Sequence, residues 1–418
     1  MDGDRITLAA LLAGEPSAEA WEQAWPLLEQ ASPDELATAA PLLRSWPPRL
    51  RPMPDAWWQQ YAAGQSRPCH ALAAWRQLGD LDHVQSGRPA LAEPDEDADF
   101  AYFYHGATSV ACPDDPRWLV VTAAAEWHHN GGDIVVWGAV PQLPSRMLLD
   151  GAHFHDEALD TSLSPDGTVA VTSVEGRLHA WAVPEGTALW QLDLGPTADG
   201  DDFFDVDRAS VRIGFSADGR LVAAGSAAHG VRVVDTASGE VRLSTPADPC
   251  GPVALNRDGG RLAHAGGGGE IVIRDAATGE TVLRHDTGLA GVNALAFATD
   301  GTGLLVAGGL GGEAGLVPGA ALLTLDGDRV TGTSLVPSGS ELPADSPLAI
   351  LCTRCVWAEH GPLVHAVDDS GTVLFDGTGR VLWTEPGMAA GNFSADGRIL
   401  VLVSETISAV FADALPPA

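Results

Sequence analysis

The sequence predicts a mainly β fold, a seven-bladed β-propeller behind a small all-α domain, and three observations carry that prediction. First, one strand-turn-strand phrase recurs: SLSPDGTVAVTS at Ser162–Ser173, GFSADGRLVAAG at Gly214–Gly225, ALNRDGGRLAHAG at Ala254–Gly266 and NFSADGRILVLVS at Asn392–Ser404. Looser copies at Ala111–Ala123, Ala296–Gly308 and Val356–Val367 bring the number to seven, at the roughly 40–45-residue spacing of a propeller blade with a few longer gaps. Second, Asp-Gly stands at the centre of five copies, from Asp166-Gly167 to Asp396-Gly397, where a tight hairpin turn needs the positive φ that glycine supplies. Third, the apolar period changes near residue 100 from helical spacing to alternation.

The helical part comes first. Ile6–Gly14 is a short apolar run, expected as a helix; the acidic MDGDR ahead of it lacks the positive start of a secretory signal. Ser17 opens a pattern through Trp21, Trp25, Leu27 and Leu28. Ser32-Pro33-Asp34-Glu35 restarts it with a capping serine, a proline in the first turn and two acids, followed by Leu36, Ala39, Leu42 and Leu43. The prolines at 47, 48, 52 and 54 interrupt. Two more short helices are expected over Asp55–Ala63 and Cys69–Leu78, with Trp57, Trp58 and Trp75. The tryptophans suit helix-helix packing, the sharper alternative being an aromatic docking groove. These residues make a helical domain over 1–86, an acidic Pro-rich linker over 87–98 and a propeller over 99–418.

Each blade follows one grammar. An inner strand ends at the Asp-Gly turn and a second strand follows. A third strand comes next, such as Asp133–Ala139, Arg177–Val183, Val231–Ala237, Glu270–Ala276 or Thr372–Gly377. A second turn, clearest in TASGE and AATGE, leads to the outer strand. The chain ends before the last copy has an outer strand, and an open sheet edge invites aggregation. Ala101–His105 is the expected closing strand. The glycine-rich Gly308–Gly319 is expected as a flexible loop, since it lacks the strand-then-helix setting of a phosphate loop.

From about Ala101 onward this pattern resembles the WD40-repeat family. The FSPDG phrase is close at Leu163–Gly167, Phe215–Gly219 and Phe393–Gly397. The Trp-Asp pair is degenerate: Trp137 and Trp181 lack the aspartate, whereas Asp235, Asp275, Asp326 and Asp376 lack the tryptophan. The resemblance implies a WD40-like ring closed by a strand from ahead of the first blade. Because the family's Asp-His-Ser network is missing, it also implies blades held mainly by apolar packing.

Composition bounds the partners. The chain has 23 basic and 56 acidic residues, net −33, and every basic residue but histidine is arginine; a GC-rich genome or a salt-adapted cytoplasm produces such a bias. So negative a surface repels nucleic acid and anionic membranes and steers basic protein or peptide partners toward itself. No apolar run reaches the ~18 residues of a membrane span. Five cysteines without framework spacing suit a reducing, cytoplasmic setting.

Candidate site residues cluster in the loops expected on one face of the ring: His128, His129, His153, His155, Asp201, Asp202, Asp205, Asp207 and His229. The bland reading makes them polar loop residues available to a partner; the sharper one gives the His-x-His pair and its neighbours to zinc or copper. Cys352 and Cys355, with His360 and His365, resemble a zinc pattern, but a spacing of three on a strand points the thiols to opposite faces, so buried inert thiols are expected. Nucleophile elbow, paired-carboxylate motif and dinucleotide fingerprint are all missing from the sequence. The expectation is therefore a non-catalytic interaction scaffold without cofactor or metal. The alternative is a propeller hydrolase or lyase, or a metal-binding protein, using the histidine-rich face.

Overall fold

The structure is a computed structural model that describes residues 7–43, 46–63, 65, 67–80, 108–111, 120–126, 132–138, 146–152, 160–174, 176–183, 185–195, 211–246, 251–312, 315–326, 329–335, 354–358, 361–368, 371–386, 390–403 and 406–411. These residues form seven four-stranded antiparallel sheets. Blade 2, for example, runs outward through Asp160–Leu163, Val169–Val174, Arg177–Ala182 and Thr187–Asp193. The inner strands of blades 3 to 7 are Arg212–Phe215, Val253–Leu255, Gly291–Phe297, Arg354–Ala358 and Ala390–Phe393; that of blade 1 is Thr108–Ala111. Each lies beside the next, and the blade 7 strand returns to that of blade 1, so the ring is closed.

The turn after the inner strand explains the repeated phrase residue by residue. In blade 2 the Ser164 hydroxyl donates to Asp166 Oδ1 at 2.6 Å and accepts the Val169 N–H at 2.9 Å, while Asp166 Oδ1 also accepts the Thr168 N–H. Gly167 sits at φ 70°, where a side chain is strained. The connection is four residues wide, with Ser164 N–H bonded to the Val169 carbonyl. Blades 3 and 7 repeat it through Ser216–Asp218 at 2.7 Å and Ser394–Asp396 at 2.6 Å. In blade 4 the Asn256 side chain replaces the serine, accepting the Arg261 N–H at 2.8 Å. In blade 5 that position is Ala298, and Asp300 alone carries the turn. A second device closes the third-to-fourth strand turn: Asp235, Asp275 and Asp376 each accept from a serine or threonine hydroxyl two or three residues on.

Between blades the packing is apolar. The middle strands are covered on both faces, so their alternate side chains serve opposite seams. Val222 and Ala224 pack toward blade 2 with Val171, Leu178 and Ala180, while Ala223 packs toward blade 4 with Val253 and Leu262. Outer strands are exposed on alternate residues, as in Val241–Thr245.

Three expectations change. The helix over Cys69–Leu78 is replaced by a 3-10 turn, Pro68–Leu72, followed by a strand, Trp75–Asp80. That strand pairs antiparallel with Thr406–Phe411 and is the outer strand of blade 7. The ring is thus closed from ahead of the first blade, but by this segment; Ala101–His105 and the linker at 87–98 lie outside the described residues. Gly308–Gly319, expected as a loop, instead lengthens the middle hairpin of blade 5. Gly303–Gly312 and Gly315–Asp326 pair in register through Gly308↔Gly319 to Gly312↔Gly315. Glycine weakens a strand but does not forbid it. The backbones also lie too close for anything larger, since a Cβ on Gly308 would meet the Gly291 carbonyl oxygen.

The helical part consists of α1 (Leu8–Leu12), α2 (Ala18–Gln30), α3 (Pro33–Leu43) and α4 (Asp55–Ala62). Ser32 caps α3 as the sequence predicts, and with Glu35 it forms a capping box, with Ser32 N–H to Glu35 Oε2 at 2.8 Å and Glu35 N–H to Ser32 Oγ at 3.3 Å. The tryptophans are core: Trp21, Trp46 and Trp57 are buried, and their indoles donate to the carbonyls of Pro52 and Leu12 and to Glu29. This core continues into blade 7 through Ile399 and Val401. The segment around Pro52 also bonds to the outer side of the closing strand. Met53 N–H donates to the Trp75 carbonyl at 2.6 Å, and Ala74 N–H donates to the Arg51 carbonyl at 3.0 Å. Among the described residues no helix is long and apolar enough to cross a membrane.

Two predictions follow from the turns and the closure. Ser216→Ala removes two buried hydrogen bonds and lowers stability by about 1–2 kcal/mol, whereas Ala298→Ser supplies the missing hydroxyl in blade 5 and raises it by about 0.5–1 kcal/mol; urea denaturation of both variants measures this. Deleting residues 1–80 exposes the edge of Thr406–Phe411 and yields aggregate on size-exclusion chromatography. Deleting only 1–74 keeps the closing strand and yields a monomer that melts earlier, because Ile399 and Val401 lose their cover.

Candidate functional site in the central channel

Aligned on the turn, the inner strands share a column four residues ahead of it: Asp160, Arg212, Pro252, Ala294, Arg354 and Ala390 in blades 2 to 7. Asp160, Arg212 and Arg354 are each the first residue of their strand, so they stand at one level of the channel. The channel encloses about 280 Å³ and is bounded by the inner strands of blades 2 to 7, with Asn293 and Asn392 among its lining residues.

Asp160 is 8% exposed, and its Oδ2 accepts the Ile213 N–H of blade 3 at 2.8 Å. Burial pushes its carboxyl above the usual carboxylate range, and the charges of Arg212 and Arg354 oppose that push. The carboxylate therefore ties blade 2 to blade 3 and sits in the field of an arginine from blade 6. Behind Arg354, paired with it across the ladder, is His365. Its ring is fully buried, meets Thr372 Oγ1 at 3.1 Å and stands edge-on to Phe393 at 6.5 Å. Burial pushes its pKa down to about 3, with Arg354 adding to the shift. His264, equally buried, accepts from Arg274 Nε at 3.0 Å; since arginine only donates, Nε2 is unprotonated and the ring neutral.

Of the site residues read from the sequence, His229 is the one described. It lies between two strands of blade 3, where it is 5% exposed and packs against Gly176 of blade 2. Burial and Arg232 hold its pKa low, against the pull of Asp193. His128, His129, His153, His155, Asp201, Asp202, Asp205 and Asp207 lie outside the described residues, as do Cys352 and His360. Cys355 is on an inner strand, half-buried, with Sγ 3.9 Å from the Leu305 carbonyl; burial pushes its thiol up to about 12, which leaves it protonated and unreactive. No group of three or more histidine, cysteine or carboxylate side chains suited to a metal occurs among the described residues. The sequence reading passed over Asp160, Arg212 and Arg354. The repeat alignment held their signal, as a column in which three blades carry charge.

The match to a family model agrees with this architecture. The family model described as outer membrane protein assembly factor BamB matches residues 135–309 and 174–414. The chain belongs to this family. Among curated proteins, meiotic recombination protein rec14 of Schizosaccharomyces pombe is 29% identical over 156 residues, 36% of this chain and 47% of that protein; the chain thus spans about half the length of the curated relative it matches. A chain from the crystal structure of the mitotic checkpoint complex superposes with a TM-score of 0.49 at 16% identity, over 78% of this chain and 96% of that one.

The buried histidine gives a pH prediction. The folded pKa of His365 lies below the ordinary 6.5, so between about pH 3 and 6.5 the unfolded chain binds more protons and stability falls as pH falls. His365→Gln should flatten the fall in melting temperature across that window relative to the parent chain, by the contribution of one proton.

Proposed function

We propose that this protein is a non-catalytic interaction scaffold, a degenerate WD40-type ring that presents its loop face to a basic protein or peptide within a larger assembly. The observation that carries the reading is membership of a propeller family described by an assembly factor. The partial relative, named for meiotic recombination, is consistent with work inside an assembly. The FSPDG turns with their serine-aspartate bonds support the WD40 type, as does the Trp181 indole donating to the buried Thr172 hydroxyl of blade 2 at 3.4 Å.

On this reading the contact face comprises the loops carrying His128, His129, His153, His155, Asp201, Asp202, Asp205 and Asp207, with His229 bracing the seam beneath them. The net charge of −33 favours a basic partner face, steered by fields that salt screens over about 8 Å at physiological ionic strength. The free thiols of Cys69 and Cys355 fit a reducing, cytoplasmic compartment.

Crosslinking from native cells, with partner identification and surface plasmon resonance on the recovered pair, tests this. The association rate should fall steeply with salt. Converting Asp201, Asp202, Asp205 and Asp207 to asparagine should slow association far more than it changes dissociation. Salt-independent binding, or tight binding to duplex DNA, would overturn the proposal.

A further inference from the structure

We propose that the outer strand of blade 5, Arg329–Leu335, is a pairing edge for a second copy of this chain, joined antiparallel about a two-fold axis through Gly332. The surface is distinct from the loop face, and its occupant is one further ring.

An outer strand leaves one row of N–H and C=O groups unpaired, and proteins usually blunt such an edge with a bulge, charges or proline. The other blades do so. The ladder to the outer strand shifts register in blades 1, 2, 3, 4, 6 and 7, an interruption that bends the strand and breaks its row of free groups. Blades 3 and 4 add ion pairs, Arg242 with Asp235 and Glu240, and Arg284 with Glu270. The outer strand of blade 6 ends in Glu385 and Pro386. Blade 5 differs. Arg329–Leu335 pairs with Gly315–Asp326 from Asp326↔Arg329 to Ala320↔Leu335 without a shift. Its sequence, RVTGTSL, contains no proline and carries its only charge at the first residue. Thr331, Gly332, Thr333 and Ser334 are all exposed, so both faces of the strand meet solvent. Among the described residues no further strand lies beyond it.

The direction of the free groups follows from the ladder. The Leu325 N–H turns inward to the Thr302 carbonyl at 2.7 Å. Its neighbours Thr324 and Asp326 therefore bond outward, to Thr331 and Arg329. On the outer strand the alternate residues Val330, Gly332 and Ser334 then turn their N–H and C=O groups away from the sheet. A two-fold through Gly332 brings two such rows together. Gly332 meets Gly332 of the partner subunit, and Val330 meets Ser334 of the partner subunit, each as a hydrogen-bonded pair. Thr331 stands opposite Thr333 of the partner subunit at the closer, non-hydrogen-bonded spacing, a favourable cross-strand pair. The one charge, Arg329, falls opposite Leu335 of the partner subunit, so no like charges meet. The strand is nearly a palindrome about its glycine, which selects a second copy over an unrelated strand. One such edge occurs among the described blades, so pairing closes at two. The net charge of −33 on each ring opposes the contact. The dimer is therefore weak at physiological salt and strengthens as salt screens the repulsion.

Sedimentation equilibrium of the full chain tests this. Between about 0.1 M and 1 M sodium chloride the Debye length falls from roughly 10 Å to 3 Å, and the dimer should tighten about tenfold. Thr331→Arg with Thr333→Arg lowers the net negative charge but sets like charges opposite each other, and should weaken the dimer about tenfold at intermediate salt. Thr331→Arg with Thr333→Glu sets opposite charges there and should bring the dimer back to within about threefold of the parent. Both positions are exposed, and an unchanged melting temperature shows that the variants fold. A monomer at every salt and protein concentration overturns the proposal and leaves the edge to another protein's strand. Equal dimerisation of the double-arginine variant, or no recovery in the arginine-glutamate variant, overturns it as well. Association through the loop face weakens with salt whereas this contact strengthens, so the two readings fail separately.

Discussion

Everything in this molecule depends on one strand ladder that joins its two ends. Seven twisted sheets can surround a channel only if the last is as complete as the others, and the last lacks its outer strand until Trp75–Asp80 pairs with Thr406–Phe411. The contact is strongly non-local, joining Trp75 to Val410. The length-dependent part of closing such a loop is about 5 kcal/mol, more than a six-residue strand at a sheet edge supplies alone. The offset comes from apolar burial at the same place. Trp75 packs into the seam of blades 6 and 7, and Ile399 and Val401 of blade 7 are absorbed into the tryptophan-rich helical core, at about 1.5–3 kcal/mol for each large side chain. The helical part is therefore a clamp on the closure as well as a neighbour of the ring.

Within that frame each blade is locally autonomous. Its turns are fixed by side-chain oxygens a few residues away, Ser164 to Asp166 or Asp235 to Ser238, and its strands by neighbours in sequence. Between the described blades the packing is mainly aliphatic and alanine side chains, with aromatic rings such as Phe375, Trp383 and Phe393 added in blades 6 and 7. Four buried polar side chains among the described residues stand out. Asp160 reaches across to the backbone of blade 3, His229 closes against Gly176 of blade 2, His264 is held neutral by Arg274, and His365 sits behind Arg354. Two of the four involve the level of the channel where charge gathers.

How much of this was legible follows from how local each determinant is. The blade grammar was readable because serine, aspartate and glycine act within five residues of one another, and the capping serine at Ser32 was readable for the same reason. The closing strand was not. Trp75, Arg76 and Gln77 have no periodicity that separates a short strand from a helical turn, and the partner that decides between them is Ser408 to Val410, at the other end of the chain. The glycine-rich hairpin of blade 5 was misread because composition argued for a loop where close backbone approach argues for a ladder. The channel charges lay in plain view but belong to three different repeats, so they formed a site only once the ring placed Arg212 and Arg354 around the same opening. His229 shows the converse: its type suggested contact with a partner, and the seam beside Gly176 encloses it.

The order of synthesis gives the early position of the closing strand a further meaning. Residues 75–80 leave the ribosome long before residues 406–411 exist, an interval of roughly 15–65 s at about 5–20 residues per second. Throughout it a strand with one face meant for Thr406–Phe411 is present with no partner. The backbone bonds from Arg51 and Met53 to Ala74 and Trp75, together with the Arg76 guanidinium lying 5.1 Å over the Trp58 ring and paired to Asp55, attach that strand to neighbours that are all already synthesised. The amino-terminal helices thus serve the nascent chain as a holder: they keep one lip of the seam in place and sheltered on its outer side until the seventh blade arrives to be sewn to it.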